Sequence, residues 1–385
     1  MNRREFLTAA ATTMTMGALT PRALSQGAFQ KADGMNYAPL GKPNPVVKPG
    51  EFPIAAVRLD HGHIYGMCNG LLEAGATLKW VYDPDQKKTD AFRVRFPQAA
   101  VARSIEQILE DPELRLVAAD PVTSERGPLG CRVMEAGKDY FSDKAPFTTL
   151  QQLDQARVVA ARTGRKYMVY YSERLHNESG MFATDLLQRG VIGRVIHIIT
   201  IAPHRLGKAG RPEWFFEREK YGGILCDLGS HQFEQFLTYS GSEDATVTHA
   251  AVANFNNPDK PELEDFGEAC LTGSSGALNY VRVDWFTPDG LGTWGDGRTF
   301  ILGTRGTIEL RKYVDVARDP AGDHVYVVDE QGERRFDVAG KVGYRFFGEL
   351  ILDCLNRTEN AMTQEHAFLA AELCLQAQAV AKRIE

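Results

Sequence analysis

At 385 residues the chain is long enough for two domains with substantial cores, and it carries no fixed-period repeat or low-complexity run. Its net charge of -6 argues against a nucleic-acid partner, whose phosphates would require a basic excess. The six cysteines are scattered without zinc or C-x-x-C spacing, mostly inside apolar segments, so buried free thiols are expected rather than a disulfide framework.

Residues 1–25, "MNRREFLTAAATTMTMGALTPRALS", place Arg3 and Arg4 before a short apolar stretch and then small residues. That order reads as a twin-arginine export signal, and the stretch is too short and Thr-rich for a stable membrane anchor. A periplasmic or otherwise exported protein, handled by the twin-arginine machinery, is therefore expected. Residues 26–50 hold Pro39, Pro43, Pro45 and Pro49 without apolar period and read as an extended arm.

From Phe52 the pattern alternates. "IAAVRL" reads as a buried strand, "GMCNGLLEAG" as a helix and "ATLKWVYD" as a second strand. Helix "SIEQILED" precedes strand "LRLVAAD", helix "LGCRVMEAGK" precedes "DYFSD", and helix "LQQLDQARVVAARTG" precedes "KYMVYYS". Regular alternation of this kind predicts a parallel sheet with helices on both faces over residues 51–172. Beyond it, residues 173–385 read as an α+β domain: helix "MFATDLLQRGVIG", a run of strands from "RVIHIITIAPHR" to "HVYVVDE", and a C-terminal helix "TQEHAFLAAELCLQAQAVAKRI". Among those strands "TFILGTRGTIELR" reads as one run, and the sheet is expected to be open and mostly antiparallel.

Two segments carry chemistry. In "YGGILCDLGSHQFEQF" the apolar spacing is helical from Ile224, which sets Asp227 and His231 on one helix face. A carboxylate beside an imidazole can fix its tautomer and raise its basicity, as a proton shuttle requires. In "YFSDKAPFTT", Lys144 follows a strand at the carboxyl edge, where an ammonium can stabilise a developing alkoxide. The first strand runs into "RLDHGHIYG", a turn with Asp60, His61, Gly62 and His63 where a dinucleotide loop would carry glycines. No register there satisfies G-x-G-x-x-G, yet Asp83 ends the second strand about 20 residues on, where a carboxylate grips an adenosine ribose. Lys87 and Lys88 keep a 2′-phosphate open. Asp60, His61 and His63 are also metal-compatible groups, but no metal is expected, because sequence alone shows no convergence.

The strand-helix-strand start, the D-K-x-P run at Asp143–Pro146 and the G-G-x-x-x-D-x-G-x-H run at Gly222–His231 resemble the Gfo/Idh/MocA oxidoreductases over about residues 52–385. The resemblance implies a Rossmann-like domain followed by an α+β domain. It also implies tightly bound NAD or NADP, hydride transfer at a sugar or cyclitol carbon, and homo-oligomers (dimer or tetramer) built through the C-terminal sheet. Carried over, Lys144 would position the reacting hydroxyl, Asp227 would orient substrate and histidine, and His231 would be the general acid/base. Asp60, His61, Gly62, His63 and Asp83 would form a rebuilt cofactor loop, with Lys144 at its nicotinamide end. Tyr171, His204, Arg211 and Trp214 are candidate substrate contacts, and Tyr171 and Glu173 in "VYYSER" are candidate additional bases.

An exported enzyme of this kind has no external nicotinamide pool, so its cofactor must be recycled in place. Three readings follow: a two-substrate oxidoreductase; a redox-neutral glycosidase or lyase using transient oxidation, elimination and re-reduction; and a silent sugar-binding protein with a degenerate cofactor site.

Overall fold

The computed structural model describes residues 41–385; the export-signal segment and residues 26–40 of the arm lie outside the described residues. The rest of the arm lies along its own chain. Gly41 N–H donates to the Glu73 carboxylate at 2.9 Å, and the Asn44 and Val46 N–H groups donate to the carbonyls of Glu73 and Ala74.

The first half runs β1 (Pro53–Leu59), α1 (His63–Glu73), β2 (Thr77–Tyr82), α2 (Gln86–Arg95), β3 (Ala100–Val101), α3 (Ile105–Glu110), β4 (Leu116–Asp120), α4 (Thr123–Glu135), β5 (Asp139–Asp143), α5 (Leu150–Thr163) and β6 (Tyr167–Tyr170). The six strands are parallel in the order β3-β2-β1-β4-β5-β6. The central strands β4 and β5 are buried throughout, as a sheet covered on both faces requires. Helix boundaries follow local chemistry: the Thr149 hydroxyl accepts from Gln152 N–H at the start of α5, and Gly164, at φ 64°, ends it in the left-handed region. The strand order reverses between β1 and β4, which opens a crevice at their carboxyl ends.

The second half continues with α6 (Ser172–Leu175), α7 (Glu178–Gln188), β7 (Val195–Pro203), α8 (Arg218–Tyr221), α9 (Ile224–Asp227) and α10 (Ser230–Ser240). Then come β8 (Ala245–Ala253), β9 (Phe266–Gly273), β10 (Leu278–Asp284), β11 (Arg298–Gly303), β12 (Gly306–Arg311), β13 (His324–Asp329), β14 (Gly332–Asp337), α11 (Arg345–Asn356), α12 (Gln364–Val380) and β15 (Lys382–Ile384). Their strands form a nine-stranded sheet, β14-β13-β12-β11-β7-β10-β9-β8-β15, antiparallel except for the β7–β10 and β8–β15 pairs.

Four expectations shift here. The single run "TFILGTRGTIELR" is a hairpin of β11 and β12. The C-terminal helix stops at Val380, and the residues after it pair with β8 as β15. The helix expected from Ile224 breaks into α9 and α10 around Leu228–Gly229, where a Cβ on Gly229 would stand 2.3 Å from the Leu225 carbonyl. Finally, α11 and α12 return to the first half rather than only closing the second. Phe346 and Phe347 pack on Phe141 of β5, and the Gln364 amide bonds both the N–H and the carbonyl of Tyr167 at 2.8 and 2.7 Å.

Candidate active site

Lys144, just past β5, and Asp227, ending α9, meet across the two halves. The Lys144 ammonium donates to Asp227 Oδ1 at 2.8 Å and to its carbonyl at 2.7 Å, with both residues under a tenth exposed. The peptide joining Lys144 to Ala145 is cis. Burial alone would raise the Asp227 carboxyl, but Lys144, aided by Arg211 and Arg126, holds it below its usual range. Arg126 aims this segment from beneath: its guanidinium donates to the carbonyls of Lys144, Ala145 and Pro121, and it ion-pairs with Asp120 and Asp143.

His231 stands on the first turn of α10 and lines the same narrow cavity, but not as the partner of Asp227. The expected Asp–His pair is replaced by Lys–Asp: both residues line the cavity, but the Asp227 carboxylate is taken by Lys144. His231 Nδ1 is buried without a hydrogen bond, and the carboxylate that acts on it most is Glu173. Burial drops the His231 pKa to about 3 despite that carboxylate, so the ring is neutral across the physiological range.

Glu173, on α6 at the carboxyl end of β6, faces the cavity. Lys312 and Gln232 donate to its Oε2 at 2.8 and 2.9 Å, while Oε1 has no hydrogen bond and lies 3.6 Å from His204 Nε2. Burial would raise this carboxyl, but Lys312 and the two histidines hold it well below the usual range. His204 is driven down to about 4 by burial, partly offset by Glu173. Arg211 joins the wall, its guanidinium stacked 4.3 Å from the centre of the Phe215 ring and 4.7 Å from that of Trp285. Trp285, Trp294 and Tyr313 complete the wall from the second sheet and its loops; none of them stood out in the sequence.

Two expected substrate contacts do not reach this cavity. Tyr171 is fully buried with its hydroxyl donating to the Ala367 carbonyl, because the turn into α6 directs it at α12. Trp214 packs beside Phe215 behind the wall. Glu173 was discernible only as a carboxylate at a strand end, where ligands gather in such sheets.

His176, with its pKa near 3, joins His204 and His231 as a histidine kept neutral by burial. Their folded values lie below the unfolded value of about 6.5, so the stability they contribute is full above that pH and drains as pH falls toward 3–4. The melting temperature is therefore expected to fall from pH 6.5 to 5.5, above the range where most unfolded carboxylates titrate. Thermal melts across that window check it, and a flat profile would contradict it.

The β1–α1 turn is more buried than the sequence suggested. Asp60 turns outward to ion pairs with Arg58 and Lys88 and does not line the cavity, since the two cations draw it away from the turn. His61 and His63 point inward, rings 4.3 Å apart, and both line the cavity. His63 Nδ1 lies 2.9 Å from Asp143 Oδ1, and His61 Nδ1 lies 3.5 Å from Asp120 Oδ2. Burial, with His63 alongside, keeps His61 well below its ordinary value. Burial and the neighbouring Asp143 push the Asp120 carboxyl well above its ordinary value, whereas His63 and Arg126 overcome burial to hold Asp143 below.

At the far end of the crevice a carboxylate is held where a dinucleotide's adenosine ribose would need one. Asp83 is fixed just past the end of β2 by the N–H groups of Leu59 and Asp85, at 2.7 and 2.8 Å. Gly62 precedes α1, and no side chain caps that helix. The phosphate end is built differently, since Asp120 already takes the Ile64 N–H at 3.0 Å. Sequence reasoning missed both Asp120 and Asp143 here.

Residues 181–309 match the GFO/IDH/MocA C-terminal domain family. A solved structure from Erwinia carotovora atroseptica, named only as an oxidoreductase, is 48% identical, covers 87% of this chain and 100% of its own, and superposes with a TM-score of 0.84. The aldose-aldose oxidoreductase of Caulobacter crescentus shares the fold at 18% identity and a TM-score of 0.70, covering 86% of this chain and 97% of its own. The scyllo-inositol 2-dehydrogenase (NAD(+)) of Bacillus subtilis is 24% identical over 71% of this chain and 75% of its own. The NADP(+) enzyme of that name and organism is 25% identical over 44% of this chain, and the match spans only 47% of its length. With the two-sheet architecture and the Lys144–Asp227–His231 constellation, these matches establish that the chain belongs to the Gfo/Idh/MocA oxidoreductases.

Proposed function

We propose that the protein is an NAD(P)-dependent oxidoreductase that works at a hydroxyl-bearing carbon of a sugar or cyclitol. The observation that carries this reading is the buried Lys144–Asp227 pair opening onto one cavity with His231, beside the crevice that ends at Asp83. A bound nicotinamide would supply the hydride acceptor. The Lys144 ammonium, oriented by Asp227, would donate to the substrate oxygen and favour its alkoxide character. His231, neutral in its buried site, would accept the hydroxyl proton. The aromatic wall of Trp285 and Trp294 would exclude water from the reacting face, with Arg211 and His204 as hydrogen-bonding contacts for further hydroxyls.

A second reading, the redox-neutral glycosidase, draws support from Glu173. Its unbonded Oε1 beside His204 supplies a second base for removing a proton next to a transiently oxidised carbon. Export and the twin-arginine signal belong to this proposal, as does oligomerisation. The outer face of the second sheet carries Val328, Leu302 and Leu278 in one row through Thr307 and His197, all three of them exposed and apolar. Such a row supports a dimer or tetramer.

Denaturing protein expressed with its signal and assaying the supernatant is expected to release about one NAD(H) or NADP(H) per chain. Release of none would overturn both readings and leave the silent binding protein. With cofactor present, aglycone release from an aryl glycoside without added acceptor would favour the second reading, and strict dependence on a carbonyl acceptor the first.

A further inference from the structure

We propose that His61, His63 and Asp143 form a binding site for one divalent transition-metal ion, open to the active-site cavity. The three residues are buried and offer ligand atoms that all lie within 4.8 Å of one another. His61 Nδ1 and Asp143 Oδ2 are 3.9 Å apart, a span that one ion at about 2.1 Å from each ligand can bridge. Asp143 Oδ1 accepts from His63, whereas Oδ2 is buried without a hydrogen bond, although the Arg126 guanidinium lies 3.2 Å away.

Two imidazoles and one carboxylate suit zinc, iron(II) or cobalt(II) rather than calcium or magnesium, which prefer oxygen-rich shells. Three protein ligands leave a coordination position free, as in sites that bind substrate rather than brace a fold. Because His61 and His63 line the same cavity as Lys144, that position would take an oxygen of a polyol substrate. The two histidines, which answer no part of a glycine-loop requirement, thereby gain a role independent of the nicotinamide.

The test uses the full chain stripped with chelator and titrated with Co2+, read by visible absorption and by metal analysis after desalting. One tightly held ion per chain is expected, with d–d bands that zinc displaces. His61→Ala and Asp143→Asn should each weaken binding on the order of 100-fold or more, since even outer partners of a metal ligand are worth about 10–100-fold. Asp143→Asn is isosteric, and circular dichroism on each variant separates lost ligation from lost folding. His249→Ala, on the exposed surface, should bind as the parent does. Absence of a stoichiometric ion in the parent chain, or equal affinity in the folded ligand variants, would overturn the proposal and leave a purely hydrogen-bonded triad. The outcome does not depend on whether nicotinamide is released in the denaturation assay, so the two readings fail separately.

Discussion

Lys144→Met is expected to lower kcat by about 10²–10³-fold while the nucleotide content per chain stays at the parent level. The ammonium is the charged donor at the carboxyl edge of β5 aimed into the cavity, and its two bonds to Asp227 leave it further donor capacity toward substrate. Removing it also strands a buried carboxylate, so stability should fall, and activity must be compared at a temperature where the variant is folded. Lys144→Arg keeps the charge on a larger planar group and should recover only part of the rate. The measurement is steady-state turnover on a panel of cyclitols and aldoses, with nucleotide quantified after denaturation. A loaded Lys144→Met variant keeping more than a tenth of the parent kcat would refute the assignment.

Arg126→Met should produce the largest loss of stability of any substitution near the site, about 3–5 kcal/mol. The side chain is 1% exposed and is shared among Asp120, Asp143 and the carbonyls at the ends of β4 and β5. Its removal leaves two buried carboxylates without their cation and three carbonyls without a donor. Arg126→Lys, with a single point charge, cannot reach all of these acceptors and should fall between parent and Met. Urea unfolding would read this as a lower midpoint at unchanged slope. A Met variant within 1 kcal/mol of the parent would show that Asp120 and Asp143 are neutralised by something other than Arg126.

The parallel sheet was legible because strand and helix periods alternate cleanly, and Lys144, Asp227 and His231 were legible because each lies in a short motif. Their mutual arrangement was not. A helical spacing of four suggested an Asp–His pair, but the carboxylate turns to a lysine 83 residues away. Glu173 escaped full notice for the same reason, since its meaning depends on Lys312 arriving from 139 residues downstream. Helix α2, "QKKTDAFRVR", buries only Thr89 and Phe92 and so has too thin an apolar stripe to announce itself. Tyr171 looked like a strand-end ligand until the turn into α6 reversed its direction.

The return of α11 and α12 to the first half has a consequence for how this chain acquires its structure during synthesis. The outer edge of β6 is closed by the side chain of Gln364, which pairs with the Tyr167 backbone much as another strand would. Helix α1 buries Gly70 against Phe347 so closely that a methyl group there would sit 2.3 Å from the ring. A nascent chain that has emerged only as far as β6 therefore exposes an open sheet edge and an uncovered apolar helix face, both liable to mispairing. The nucleotide-binding half is first in sequence yet among the last parts to be finished, because its missing surfaces are encoded near the C-terminus. Damage to the last forty residues would then be felt at the opposite end of the chain, in the packing of α1 and the closure of β6.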